Sequence, residues 1–205
     1  MVSAVAAETA DRILDAACEI IAEEGIDEVR IARVATRARA STGLVHHYFS
    51  TRDELLEQAL VHSFERAGDD RFGDGSQPPP GSATEIFGLA IRECLPFPGE
   101  SEREWILWVE LWLRAVREPS LRGVAAGLYD SYRRWLAVMI RAGADSGEFT
   151  LERDAGEIAD VAMALLDGAG IRAMVADPAM DVEAARALVA RSLAPLLGVE
   201  PEALA

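Results

Sequence analysis

Lysine is missing from this 205-residue chain: all 20 basic side chains are Arg, set against 35 Asp and Glu for a formal net charge of −15. So acidic a surface excludes a protein that coats nucleic acid or an anionic membrane over its whole exterior. Cysteine is scarce as well. Cys18 and Cys94 are too few for a disulfide framework and read as reduced core thiols. No stretch approaches the run of about 18 apolar residues that a bilayer span needs. The opening MVSAVAAETADR has neither a basic region nor a long apolar run, so no secretory leader is expected and the cytoplasm is the expected compartment. Only three His occur, and no nucleophile–base set, Gly-rich phosphate loop or metal-spaced cluster accompanies them. An enzyme is therefore disfavoured, and neither a cofactor nor a metal is expected. Half the residues are hydrophobic, which excludes wholesale disorder.

Strand signals are nearly absent, and helical spacing appears almost everywhere instead. Ile13, Ala16, Ala17, Ile20 and Ile21 recur at i, i+3, i+4, i+7 and i+8, and Gly25 ends that helix. Thr51 to Glu54 reads as a capping box opening a helix to about Ala67. Residues 68–81, GDDRFGDGSQPPPG, have no periodicity and read as a flexible connector. Five helical segments follow. One spans 83–95. A second capping box, Ser101 to Glu104, opens the next, which Glu118-Pro119 closes. A long helix covers 120–143, ending near Gly143 and Gly147. Asp154 and Asp181 cap the last two, and Gly198 ends the final one, with Pro195 expected to distort its last turn. The expected fold is all-α with about nine helices: a three-helix N-terminal unit with its connecting helix over 1–67, the linker 68–81, and a helical bundle over 82–205.

Charge is distributed unevenly. Residues 1–28 carry one Arg and eight acids, whereas residues 29–52 carry Arg30, Arg33, Arg37, Arg39 and Arg52, two His and no acid. A basic island in an acidic chain attracts a polyanion while the remainder repels it. Its spacing is that of a helix-turn-helix. RIARVATRA places Ile31, Val34, Ala35 and Ala38 on one face, Arg39-Ala40 forms a tight connection, and Ser41 caps a second short helix, STGLVHHY. Gly43 lies in its first turn, where a missing side chain lets backbone approach a phosphate or base. Phe49 anchors the helix to the core. Such a helix puts its N-terminal residues into the major groove of double-stranded DNA.

The segments ILDAACEIIAEEG and VRIARVATRARASTGLVHHYFSTRDEL resemble the DNA-binding unit of the TetR family of transcriptional regulators, over about residues 9–60. Ser41, Gly43, Tyr48, Phe49, Arg52, Asp53 and Glu54 carry the resemblance. It implies a homodimer whose last two helices pair, a ligand pocket among the middle helices, and repression of a palindromic operator relieved by ligand. It further implies that Arg30 and Arg33 touch phosphates or bases. Thr42, Gly43, Leu44 and His46 then lie on the groove-facing part of the recognition helix, His47 and Tyr48 bind phosphate, and Arg52 stands where the family usually has a Lys on the DNA backbone. Three positions depart from the family pattern. Arg39 replaces a usual turn Gly, and if that turn needs φ > 0 the substitution costs roughly 1 kcal/mol, to be offset by a phosphate contact. Thr42 replaces a usual Lys, and Glu28-Val29 replace hydroxyl residues.

In the C-terminal half, Trp105, Trp108 and Trp112 form one helical stripe, and Tyr129, Tyr132 and Trp135 follow on the next helix. With Phe87, and Phe64 at the far end of the connecting helix, they suggest an aromatic-lined cavity for a small, largely apolar or flat effector. Glu110, Arg114 and Asp167 are candidate polar contacts. Small residues in the last two helices, Gly168 to Ala173 and Ala184 to Ala190, suit a four-helix dimer interface. Two other readings stay open: a family member that binds ligand or protein without DNA, and an all-α enzyme.

Overall fold

The computed structural model describes the backbone over residues 2–72 and 80–204, and side chains over residues 6–63 and 80–204. Among the described residues there is no strand. The described residues form nine α-helices: α1 (Val2–Glu24), α2 (Ile31–Arg37), α3 (Thr42–Tyr48), α4 (Arg52–Phe72), α5 (Ala83–Glu93), α6 (Glu100–Arg117), α7 (Pro119–Ser146), α8 (Ala155–Met174) and α9 (Val182–Leu197). Short 3-10 turns at Ile26–Glu28 and Pro201–Leu204 complete the described chain. No helix among the described residues is long and apolar enough to cross a membrane.

The chain falls into two compact units, Met1–Arg71 with Arg103–Ala126, and Phe72–Glu102 with Gly127–Ala205. Most of α6 and the opening of α7 are thus grouped with the N-terminal elements. In the first unit the expected stripe of α1 is the core: Ile13, Ala16, Ala17, Ile20 and Ile21 are all buried. Val29, Val34, Ala35, Val45, Phe49, Leu55, Leu56, Ala59 and Leu60 are buried with it. Gly25, at φ +93, ends α1, a conformation that only glycine adopts without strain.

In the second unit one apolar cluster joins α5, α7, α8, α9 and the final 3-10 turn, through Phe87, Leu95, Leu136, Ile140, Ile158, Val189, Leu193 and Leu204 among others. Gly143 is needed there for space, since a Cβ would come within 2.1 Å of the Phe149 ring. Asp154 and Asp181 cap α8 and α9 as expected, accepting from the Gly156 and Ala184 N–H groups. Gly198, at φ +68, ends α9, which continues through Pro195 to Leu197.

Two expectations need correction. The connecting helix does not stop near Ala67; α4 runs to Phe72, taking up the first five residues of the expected connector. A single glycine, Gly68, costs a helix only about 1 kcal/mol and does not end it. The rest of that connector, through residue 79, and the Phe64 side chain lie outside the described residues. Nor does Ser101 cap α6. The helix opens one residue earlier, at Glu100. The Glu102 N–H in its first turn is taken by the Phe97 carbonyl at 3.1 Å, so preceding backbone serves that helix end.

The N-terminus of α5 is closed from a distance. Ser82 caps it locally. The Glu148 carboxylate, just beyond α7, accepts from the Ser82 hydroxyl at 2.7 Å, the Ala83 N–H at 2.9 Å, and the Thr84 N–H and hydroxyl, both at 3.1 Å. Those donors, Ser82 first, hold the Glu148 carboxyl down at about 2. A carboxyl depressed in the folded state stabilises the fold above its unfolded value, and that stabilisation disappears as pH falls. In urea melts, wild type is therefore expected to lose stability between about pH 4.5 and 2. Glu148→Gln should be less stable at neutral pH and lack that part of the acid dependence.

Candidate nucleic-acid interface

The α2–turn–α3 segment is built on a left-handed residue that is not glycine. Arg39 has φ +51. Around it the Ala40 N–H donates to Ala35 O at 2.8 Å and the Arg39 N–H to Thr36 O at 3.2 Å, the paired bonds of a Schellman ending. The turn does require φ > 0, so Arg39 carries the cost foreseen for it. Ser41 then caps α3, its hydroxyl accepting from the Leu44 N–H at 3.1 Å. Val45 and Phe49 are buried, which fixes the roll of α3. Thr42, Gly43, His46 and His47 are consequently exposed on one face, with Leu44 and Tyr48 half-buried beside them. The Tyr48 ring lies edge-on to His47 at 5.3 Å and tilted against Phe49 at 6.3 Å.

Gly43 has no internal reason to be glycine. Its φ is not positive, and a Cβ there would meet only Ser41 Oγ, at 3.9 Å. A glycine in a helix costs about 1 kcal/mol relative to alanine. The chain accepts that cost at an exposed position where neither conformation nor packing demands it, which fits close approach by something outside the chain.

The five Arg of the island have different partners. Arg30, at the N-cap of α2, and Arg39 are exposed and make no ion pair among the described residues. Arg33 pairs with Glu24 and, at 2.7 Å, with Glu28. Arg37 pairs with Glu23 at 2.9 Å and with Glu19 and Glu24 at 3.3 Å. Hydrogen bonds donated to these carboxylates, Glu24 foremost for Arg33 and Glu23 for Arg37, raise both guanidinium pKa values above the ordinary value. Arg52 donates from Nε to Val29 O at 2.6 Å and from Nη2 to Ile26 O at 2.7 Å, pinning the start of α4 to the 3-10 turn before α2.

Sequence reasoning missed these partners, and it missed Arg12, which donates to Ala38 O at 3.0 Å and ties α1 to the end of α2. One signal was available: Glu19 and Glu23 are spaced i, i+4, as are Arg33 and Arg37, so each pair shares a helix face. The capping box at the start of α4 forms as a near variant. Thr51 Oγ1 accepts from the Glu54 N–H, and the Glu54 carboxylate accepts from Ser50 rather than from Thr51.

The expected effector residues fall in both compact units. In the first, Trp105 and Trp108 are buried on α6, and their rings meet Trp112 at 6.0 and 5.5 Å. Glu110, on the same helix, is half-buried, and burial raises its carboxyl. Arg114 pairs with Glu118 at 3.4 Å. In the second unit Phe87 is wholly buried, edge-on to Phe149 at 6.1 Å. Tyr132 and Trp135 meet edge-to-face at 6.3 Å. The Tyr129 hydroxyl donates to the half-buried Asp167 at 2.9 Å. Burial pushes Asp167 up to about 6 despite that bond, and burial beside this carboxylate raises the Tyr129 phenol.

Two family descriptions match the chain: "Bacterial regulatory proteins, tetR family" over residues 13–59, and "BetI-type transcriptional repressor, C-terminal" over residues 85–198. The HTH-type transcriptional regulators BetI of Escherichia coli and Shigella flexneri are 27% identical over 180 residues, 86% of this chain and 88% of theirs. Among solved structures, a putative transcriptional regulator from Saccharomonospora viridis in complex with choline is similar, with TM-score 0.77 and 28% identity over 89% of this chain and 94% of that one. A TetR transcription regulator from Haloarcula marismortui aligns with TM-score 0.77 and 25% identity, over 93% of this chain and 99% of that one.

Two substitutions separate folding from binding at this surface. Gly43→Ala is expected to leave thermal stability unchanged or raised by up to about 1 kcal/mol while weakening duplex binding at least tenfold. Full binding by the alanine variant would show that nothing approaches that backbone. Arg52→Ala, by removing two charged-donor hydrogen bonds, should cost about 1–3 kcal/mol of stability in urea.

Proposed function

The chain belongs to the TetR family of bacterial regulatory proteins, with a BetI-type C-terminal half, and on that premise we propose a cytoplasmic, homodimeric repressor that releases a palindromic operator when a small effector binds. The observation that carries the DNA reading is the exposed α3 face, with Gly43 open to close approach. In this reading residues 1–67 hold the operator, 68–81 connect, and 82–205 bind effector and dimerise. Thr42, Gly43, Leu44 and His46 meet base edges, while Arg30, Arg39, His47 and Tyr48 meet phosphates. Arg52, already bonded to two carbonyls, positions the reading helix. The helix-turn-helix occurs once per chain, so two half-sites about one helical turn or more apart need two chains.

For the effector we propose a small cation with an apolar skin, of the quaternary ammonium class. Such a group has no N–H to donate, so only aromatic faces and negative charge can recognise it. Tyr129, Tyr132, Trp135 and Asp167 offer both. Among the described residues no Arg pairs with Asp167, and its hydrogen-bond partner is the Tyr129 hydroxyl. The similarity to a regulator solved with choline supports the same class. The sequence alone suggested a largely apolar or aromatic effector; this proposal departs from it by adding a positive charge, with the half-buried Asp167 carboxylate as its partner. To lower operator affinity about a hundredfold, the effector must favour the released arrangement by about 2.8 kcal/mol.

Titration with choline and with its uncharged carbon isostere, read by Trp fluorescence and operator release, tests this. Choline is expected to bind at least tenfold more tightly than the isostere, and Asp167→Asn should abolish the difference. Because the cation needs the ionised carboxyl, its affinity should fall as pH drops through about 6. Equal binding of both compounds would favour a neutral aromatic effector instead.

A further inference from the structure

Taking up the DNA-binding reading, we infer that the glutamates at the end of α1 act as a brace that withholds Arg33 and Arg37 from DNA and so restricts non-specific binding. Glu19, Glu23 and Glu24 of α1 and Glu28 of the 3-10 turn hold both guanidiniums, each against at least two carboxylates. Glu23 also takes Arg103 of α6 at 3.4 Å. Four carboxylates thus face three guanidiniums, and the patch is net negative by one.

Affinity for duplex DNA comes largely from counterions that protein cations displace from phosphates. A guanidinium already neutralised by its own chain displaces none unless it first leaves its carboxylates. Leaving them would set two or more uncompensated acids beside a polyanion. Each surface pair taken singly is weak. Five contacts on two guanidiniums form a network, however, and the excess carboxylate makes the alternative repulsive as well as vacant. The brace therefore divides the basic island. Arg30 and Arg39 remain available to phosphates, and Arg33 and Arg37 do not. Approach along the Arg33 and Arg37 face of α2 meets acid, and that penalty is independent of base sequence, so it subtracts most from non-specific complexes.

The test is a salt titration of full-length protein on random-sequence duplex and on the operator, with wild type, Arg33→Gln/Arg37→Gln and Glu24→Gln/Glu28→Gln. The glutamine side chains keep a carbonyl acceptor but remove the charge. The arginine variant is expected to leave the slope of log affinity against log salt unchanged. The glutamate variant removes both partners of Arg33 and should strengthen random-duplex binding and steepen that slope by about 0.9 per protomer. The operator-to-random ratio should then fall. Glu152→Gln/Glu157→Gln changes net charge equally, remote from the brace in sequence, and should not steepen the slope. A flatter slope in the arginine variant, or no change in the glutamate variant, overturns the brace. If the arginine variant does not fold, the glutamate pair with its control decides alone. A wild type that binds no duplex at any salt overturns the DNA reading and the brace with it, whereas salt-dependent binding with slopes the variants do not move overturns the brace only.

Discussion

Two helices of seven residues cannot hold themselves together in water, because each closes too few hydrogen bonds to repay its nucleation. The existence of α2 and α3 therefore depends on burying Val34, Ala35, Ala38, Val45 and Phe49. Everything functional at this surface follows from that burial. Once Val45 and Phe49 are inside, the remaining face of α3 is turned outward with Thr42, Gly43, His46 and His47 on it. The left-handed link at Arg39 sets the angle between the two helices, and the Arg52 and Arg12 guanidiniums fasten them to the elements on either side. A strained backbone residue at a recognition turn is tolerable only where its surroundings over-determine it.

Local signals were legible in the sequence because their physics is local. The α1 stripe, the Ser41, Asp154 and Asp181 caps and the Gly25 and Gly198 stops each involve residues within one or two turns of one another. The start of α6 was misread because Glu102 finds its acceptor in the backbone of Phe97, and a carbonyl has no residue-type signature. The end of α4 was misread because composition alone does not distinguish a helix that tolerates Gly68 from one that stops there.

The candidate site was legible by position and less so by partner. The exposed face of α3 carries Thr42, Gly43, His46 and His47, residues to which the family resemblance gave roles. That Arg33 and Arg37 are neutralised is a tertiary fact, since their acids lie 5 to 18 residues away on other elements. Net charge by segment, which separated an acidic 1–28 from a basic 29–52, treated as independent two runs that the fold pairs. The effector residues show the same limit. Asp167 was one of three polar candidates of equal standing in the sequence, and burial beside Tyr129 distinguishes it. The aromatic stripe of α6 was read together with the Tyr129–Trp135 set, and the two belong to different compact units.

The Glu148 clasp has a kinetic signature of its own. The Ala83 and Thr84 amides stand in the first turn of α5, where backbone protons ordinarily meet solvent and exchange with deuterium at nearly the rate of an unfolded chain. Here both are held by a carboxylate more than sixty residues away along the chain. Their exchange must wait until the segment after α7 separates from α5, so two protons at a helix end report a long-range opening rather than local fraying. The amides protected in this bundle therefore extend to a helix end that, by its place in the first turn alone, would be put among the fast ones.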